Sequence, residues 1–320
     1  MKLVVATHGH CFDGLASAVV FSHLCRAFYK SEPLDLSYRA CGYGIGQGRA
    51  DDAMLTGDVN AILDYRYHAS EKLSWYFDHH RTAFASDADR AHFEARQGNG
   101  QFFYDAAASS CTKLIAELAR EHFGFENPAL GELVTWADRI DSARFRSAEE
   151  AVDRSDPVMR LVSVVEHYGD DAFLERFVPE LLTRPLHEVA ALPEVASRYR
   201  PLGKKHDRFV DRVKQSSLRQ GRVVFVDLTE EVLDSVGKFV TYALFPDSVY
   251  SVVIGLLKNG PKISVGYNPW SGRPRDADIS SICARYGGGG HPVVGGIAFS
   301  NAEIERARNV AREIAAELAG

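Results

Sequence analysis

Short apolar runs that end on ionisable residues, alternating with stretches of helical period, constrain this chain more than any other feature. Leu3-Val4-Val5-Ala6, Ala61-Ile62-Leu63, Leu73-Ser74-Trp75-Tyr76-Phe77 and Phe102-Phe103-Tyr104 read as buried strands. Leu15 to Tyr29, Cys111 to Phe123 and Leu130 to Asp138 read as helices. Strands that alternate with helices predict an α/β fold with a mainly parallel, doubly wound sheet covered on both faces.

The remainder predicts a second, smaller α/β domain. From Asp153 to Pro201 the pattern is helical and broken by Pro157, Pro179, Pro185, Pro193 and Pro201, which reads as the end of the first domain and a connecting region. A basic helix pattern then runs from Arg198 to Arg222 around Lys204-Lys205-His206-Asp207-Arg208. It reads as a solvated face, with contact to a phosphate backbone as the alternative. Strands follow at Val223–Val226, Tyr250–Leu257 and Lys262–Tyr267, then helices at Ala277–Tyr286 and Ala302–Leu318. The expected division is a domain over 1–190, a linking helix over 191–220 and a second domain over 221–320.

Composition narrows the class. The chain has 320 residues with a formal charge of −6, and the part from Glu194 on has 18 Lys and Arg against 14 Asp and Glu, leaving 19 against 29 before it. An acidic first part suits a site for cations and a mildly basic second part suits phosphates, although uneven surface charge gives the same count. The longest apolar run, Ser251 to Leu257, is too short to span a bilayer, so no membrane partner is expected. Five scattered cysteines without a CxxC pair, and no secretory apolar segment after Lys2, point to reduced thiols in a cytoplasmic protein.

Three of the predicted strands deliver ionisable groups at their carboxyl ends. The first runs into His8-Gly9-His10-Cys11-Phe12-Asp13-Gly14, the second into Asp64, the third into Asp78-His79-His80. In an open parallel sheet those ends line one edge, where ligands bind. A fourth candidate is the segment Trp136-Ala137-Asp138-Arg139-Ile140-Asp141. Carboxylates and imidazoles clustered together suit Mn²⁺ or Mg²⁺, since carboxylates gathered without cations repel one another. Two such ions can activate a water and stabilise the attacking and leaving oxygens of a phosphate ester. In the second part, Gly287-Gly288-Gly289-Gly290-His291 can turn successive N–H groups inward as a nest for an anion.

His8-Gly9-His10-Cys11-Phe12-Asp13-Gly14, Asp64, Asp78-His79-His80, Asp138 and Gly287–His291 occur in the order seen in DHH-family phosphoesterases with a C-terminal DHH-associated domain, and the chain resembles that family from His8 to Phe299. The family includes RecJ-type exonucleases, oligoribonucleases, pAp phosphatases, cyclic-dinucleotide phosphodiesterases and exopolyphosphatases. The resemblance implies a Mn²⁺-dependent site, with one or two ions, in a cleft between the domains. His8, Asp13, Asp64, His79 and Asp138 would be metal ligands, with Asp64 the bridge between two ions. His80 would face the scissile phosphate, and Asp78 would support the imidazoles. Arg285, the Gly287, Gly288, Gly289 and Gly290 backbone and His291 would hold the rest of the substrate, joined more weakly by Arg273 and Arg275. Many members carry an aspartate two residues before Asp13; here that position is Cys11. Either His10 or Cys11 would replace the missing ligand, with a soft thiolate favouring Zn²⁺, or one of the two ions would bind weakly.

The expected activity is hydrolysis of phosphoester bonds in small nucleotides or short single-stranded oligonucleotides. No appended OB-fold is apparent, which disfavours a processive exonuclease. Inorganic polyphosphatase activity and a non-catalytic nucleotide sensor are the alternatives, and a homodimer is compatible with either.

Overall fold

The computed structural model describes residues 1–43, 48–233, 237 and 239–320. It divides into two compact units, one comprising Met1–Arg144 with Arg154–Leu202 and the other Phe145–Asp153 with Gly203–Gly320. A helix spans Pro193–Ser216, shorter than the 191–220 stretch expected to link the domains, and the division falls within it. Phe145–Asp153 joins the second unit through local contacts: Trp270 Nε1 donates to the Phe145 carbonyl at 2.9 Å, and the Phe145 ring lies edge-on to Phe239.

In the first unit five strands, β1 (Lys2–His8), β2 (Asp35–Cys41), β3 (Val59–Leu63), β4 (Trp75–Asp78) and β5 (Phe102–Tyr104), form a sheet in the order β2-β1-β3-β4-β5. Every pairing in it is parallel. The interiors of β1, β3 and β4 are buried throughout, as expected when helices cover both faces. Helix Phe12–Phe28 is apolar almost all round and packs against β1 and helices Cys111–Phe123 and Gly131–Asp141. It can start so close to β1 only because Gly14 has no side chain: a Cβ there would meet the His8 carbonyl oxygen at 2.0 Å. The edge strand β2 escaped the sequence reading because most of Asp35–Cys41 is only half buried and carries no continuous apolar run.

The second unit is α/β with a mixed rather than parallel sheet. Strands β6 (Ser217–Gln220), β7 (Val223–Leu233), β8 (Tyr250–Leu257), β9 (Gly260–Tyr267), β10 (Gly289–His291) and β11 (Val294–Ala298) lie in the order β10-β11-β9-β8-β7-β6. Only β7 and β8 pair in parallel. Helix Ile304–Ala319 seals one face, burying Ala307, Ala311, Ile314 and Ala315 against Ile254, Ile263 and Val265. No helix among the described residues is long and apolar enough to cross a membrane.

Candidate metal centre

Parallel pairing aligns the site. Thr7 stands opposite Leu63, and Leu63 opposite Phe77, so the next residues, His8, Asp64 and Asp78, leave three adjacent strands side by side. Asp64 then turns sharply: its φ is +54°, in the left-handed region that non-glycine residues enter at a cost of order 1 kcal/mol, and its N–H donates to the Phe77 carbonyl at 2.9 Å. Its carboxylate is 1% exposed.

Five buried side-chain polar atoms lack a hydrogen-bond partner among the described residues, and four of them are His8 Nδ1, Asp64 Oδ1, Asp64 Oδ2 and His79 Nε2. Buried polar groups are otherwise almost always paired, so their concentration at one point marks a place built for something else. The four face one another. His8 Nδ1 lies 3.7 Å from Asp64 Oδ2, and His79 Nε2 lies 3.5 Å from Asp64 Oδ1, 3.3 Å from Asp141 Oδ2 and 3.9 Å from Asp13 Oδ2. None of these contacts is a hydrogen bond. They match two ligands sharing one ion at about 2.1 Å each, which sit roughly 3.0–3.6 Å apart. Three donor groups result: His8–Cys11–Asp64, Asp64–His79–His80 and Asp13–His79–Asp141. Asp64 and His79 each belong to two of them.

The surroundings fix the donors' orientation. Both Asp13 oxygens accept backbone N–H groups, from Cys111 at 2.7 Å and Thr112 at 3.0 Å, at the start of helix Cys111–Phe123. His79 Nδ1 lies 3.1 Å from the Ala108 carbonyl, so that nitrogen carries the proton and Nε2 is left to accept a cation. Asp78 is fully buried, and neither of its oxygens is spare. Oδ1 accepts the His79 N–H at 2.9 Å and pairs with His80 Nδ1 at 2.7 Å; Oδ2 accepts the Tyr76 hydroxyl at 3.0 Å. Asp78 therefore holds the two histidines.

Charge in the centre is poorly balanced. Burial, then Asp64 and Asp141, push the Asp13 carboxyl well above the usual carboxylate range. Burial and Asp64 raise Asp141 also. Burial pushes Asp64 the same way, but His79, His8 and His80 outweigh it and hold Asp64 below its ordinary value. Burial pulls His79 down, yet Asp64, Asp13 and Asp141 carry it up to about 9. Three carboxylates thus recruit a proton onto His79 where a cation would serve. The Cys11 thiol, raised by burial and by Asp64 and Asp13, stays protonated in the same setting.

The structure separates two acids that the sequence left together. Asp141, unassigned beforehand, faces His79. Asp138, expected as a ligand, lies three residues earlier on helix Gly131–Asp141 and is in none of the donor groups; it accepts the Ser109 hydroxyl and sits 3.7 Å from Lys113 Nζ. The pair Asp138 and Asp141 was visible in sequence, but nothing local says which faces inward. His10, with φ +56°, also stands apart: its N–H donates to the Gly169 carbonyl, and it lines another hollow with Cys41, Asp170 and Asp171.

In the second unit the glycine run is a hairpin and a helix end, not a nest of four free N–H groups. The Gly287 and Gly288 N–H groups donate to the Ala284 and Cys283 carbonyls, closing helix Ile279–Ala284. Gly289, Gly290 and His291 pair with Gly296, Gly295 and Val294. The glycines permit close backbone approach: a Cβ on Gly288 would meet the Gly296 oxygen at 2.3 Å. Beside the hairpin a hollow of ≈ 220 Å³ is lined by Tyr242, Lys262, Ser264, Gly289, Gly290 and His291. Arg285 is paired with Glu317, and Arg273 is exposed, its carbonyl accepting the Tyr267 hydroxyl at 2.6 Å.

No protein-family model matches the sequence, and no curated protein matches it. Solved structures do. A pGpG-specific phosphodiesterase from Vibrio cholerae is 20% identical, with 98% of this chain and 99% of that one covered and a TM-score of 0.65. The DHH domain of a member of a ribosomal-protein family is 13% identical, with 98% and 86% covered and a TM-score of 0.59. Thermus thermophilus RecJ in complex with Mn²⁺ is 13% identical, with 99% of this chain but 52% of that one covered and a TM-score of 0.58. The chain has the two-domain fold of the DHH-domain proteins.

Proposed function

We propose that the chain is a divalent-metal-dependent phosphohydrolase acting on phosphoester bonds of small nucleotides or short oligonucleotides. One observation carries this reading: the buried donors of His8, Asp64 and His79 have no hydrogen-bond partner yet converge with Asp13 and Asp141 at metal-ligand spacing. The oxygen and nitrogen donors fit Mn²⁺ or Mg²⁺, with Cys11 able to extend the set towards Zn²⁺. A similar fold has been solved with Mn²⁺ and with Mg²⁺ in RecJ. A divalent ion held there would supply Lewis acidity and a water ionised near neutral pH.

The chain's own residues do the rest. Asp13, Asp64, His79 and Asp141 hold the cation, with His8 completing one side. Asp78 fixes the His80 ring through Nδ1 and raises its proton affinity against the effect of burial, leaving Nε2 to bind a phosphoryl oxygen or hand a proton to the leaving group. In the second unit, the hollow lined by Lys262 and His291 offers cationic donors of the kind that bind a phosphate.

The test is hydrolysis of pGpG, other dinucleotides, pAp, cyclic dinucleotides, single-stranded DNA and polyphosphate, with Mn²⁺ and with Mg²⁺. Cleavage of at least one nucleotide, lost in Asp64→Asn, is expected. A protein that binds Mn²⁺ stoichiometrically and cleaves none of these esters would refute the reading and leave a sensor.

A further inference from the structure

Beside the donor cluster lies an aromatic feature that the metal chemistry does not use. Tyr43, just beyond β2, has 46% of its surface open. Its ring stacks on Tyr65, centroids 4.6 Å apart at 27°, and meets the His8 ring edge-on at 5.6 Å and 76°. The Arg66 guanidinium lies 5.2 Å from the Tyr43 ring centre and is itself exposed.

The arrangement is held from beneath. Tyr65 is buried, directly follows Asp64 in the chain, and donates its hydroxyl to the Gly42 carbonyl at 2.8 Å. The residue that carries the stack is therefore tied both to a metal donor and to the residue preceding Tyr43. His8 in turn lies 6.1 Å, ring to ring, from His80. An open tyrosine thus stands one imidazole away from the reacting centre. Among the described residues the other exposed Phe, Tyr or Trp side chain, Phe28, packs on Tyr29, Trp75 and Phe123.

A half-open tyrosine forfeits burial, and a guanidinium beside it adds a second flat, cationic surface. A phosphoester without a base offers such a surface nothing to stack on. A nucleobase does, and stacking on a protein ring commonly strengthens binding by about ten- to a hundred-fold.

We propose that Tyr43, flanked by Arg66, is a stacking platform for the nucleobase next to the scissile phosphate and makes the site selective for nucleotides over base-free phosphoesters. The inference rests on the hydrolase reading only in placing the base next to a phosphate that is cleaved; the binding selectivity stands or falls alone.

It is tested in the presence of Mg²⁺ with two probes, each with a methylene in place of its ester oxygen so that it cannot be hydrolysed: 2-aminopurine riboside monophosphate, whose fluorescence is quenched on stacking, and ribose phosphate, measured by calorimetry. The wild type should quench the aminopurine and bind it at least tenfold more tightly than ribose phosphate. Tyr43→Ala should abolish the quench and most of that preference while leaving ribose phosphate affinity within about twofold; Tyr43→Phe should retain both. With a dinucleotide substrate, Tyr43→Ala should raise KM by about the same factor and change kcat little. Unchanged quenching in Tyr43→Ala, or an equal loss of both probes, would overturn the platform. Selective binding without turnover of any dinucleotide would instead overturn the hydrolase and leave the platform standing.

Discussion

Replacing Asp64 by asparagine isolates what the buried carboxylate does. Asparagine keeps the size and enters the left-handed region readily, so the φ of +54° adds little strain of its own. In the ion-free protein His79 is carried from an ordinary 6.5 to about 9 against the effect of burial, and Asp64 is the foremost of the groups that raise it. That elevation is worth on the order of 3 kcal/mol in favour of the imidazolium. Without Asp64, burial is opposed only by Asp13 and Asp141, so the His79 midpoint, followed by NMR in the chelated protein, should fall back towards or below 6.5. Cation binding should suffer more, because Asp64 belongs to two of the three donor groups. Wild-type protein with Mn²⁺ at about a hundred times its Kd should gain about 2.7 kcal/mol, or roughly 5–11 °C in Tm for a unit of this size. Asp64→Asn should show no shift at that concentration and an affinity lower by at least a hundredfold in calorimetry. Wild-type affinity and a wild-type melting shift in the variant would refute the claim that these orphaned atoms exist to hold a cation.

Cation affinity should rise with pH, since an ion must displace the proton from His79: roughly tenfold per pH unit up to about 9 and flat above, measured by Mn²⁺ calorimetry in several buffers. Linkage runs the other way for the chelated fold. The raised His79 contributes stability that is complete below 6.5 and is lost as pH climbs through about 9, which urea midpoints across that window will follow. Asp141→Ala should weaken Mn²⁺ binding at least tenfold, whereas Asp138→Asn, which keeps an acceptor for Ser109, should leave it within about threefold. Gly288→Ala, with its Cβ 2.3 Å from the Gly296 oxygen, should cost more than about 2 kcal/mol in urea unfolding.

Much of this was legible in the chain alone. The apolar runs before His8, Asp64 and Asp78, and the helical period between them, place three ionisable groups at strand ends, and the parallel sheet that such alternation demands brings those ends to one edge. These are local signals, period and terminus, and they survive folding unchanged. Tertiary structure decided what depends on rotation and on partners. Asp138 and Asp141 sit about 60° apart around one helix, and only the packing of that helix turns Asp141 to His79 and Asp138 to Ser109. The same holds for the glycine run. Its composition permits a nest, but two of its N–H groups go to the helix before it, and pairing with β11 turns the rest into a hairpin. Tyr43 carried no signal in sequence, because an open ring is recognised only by what it stands beside. Backbone preference is written residue by residue; which face of a residue meets which neighbour is set by the whole fold at once.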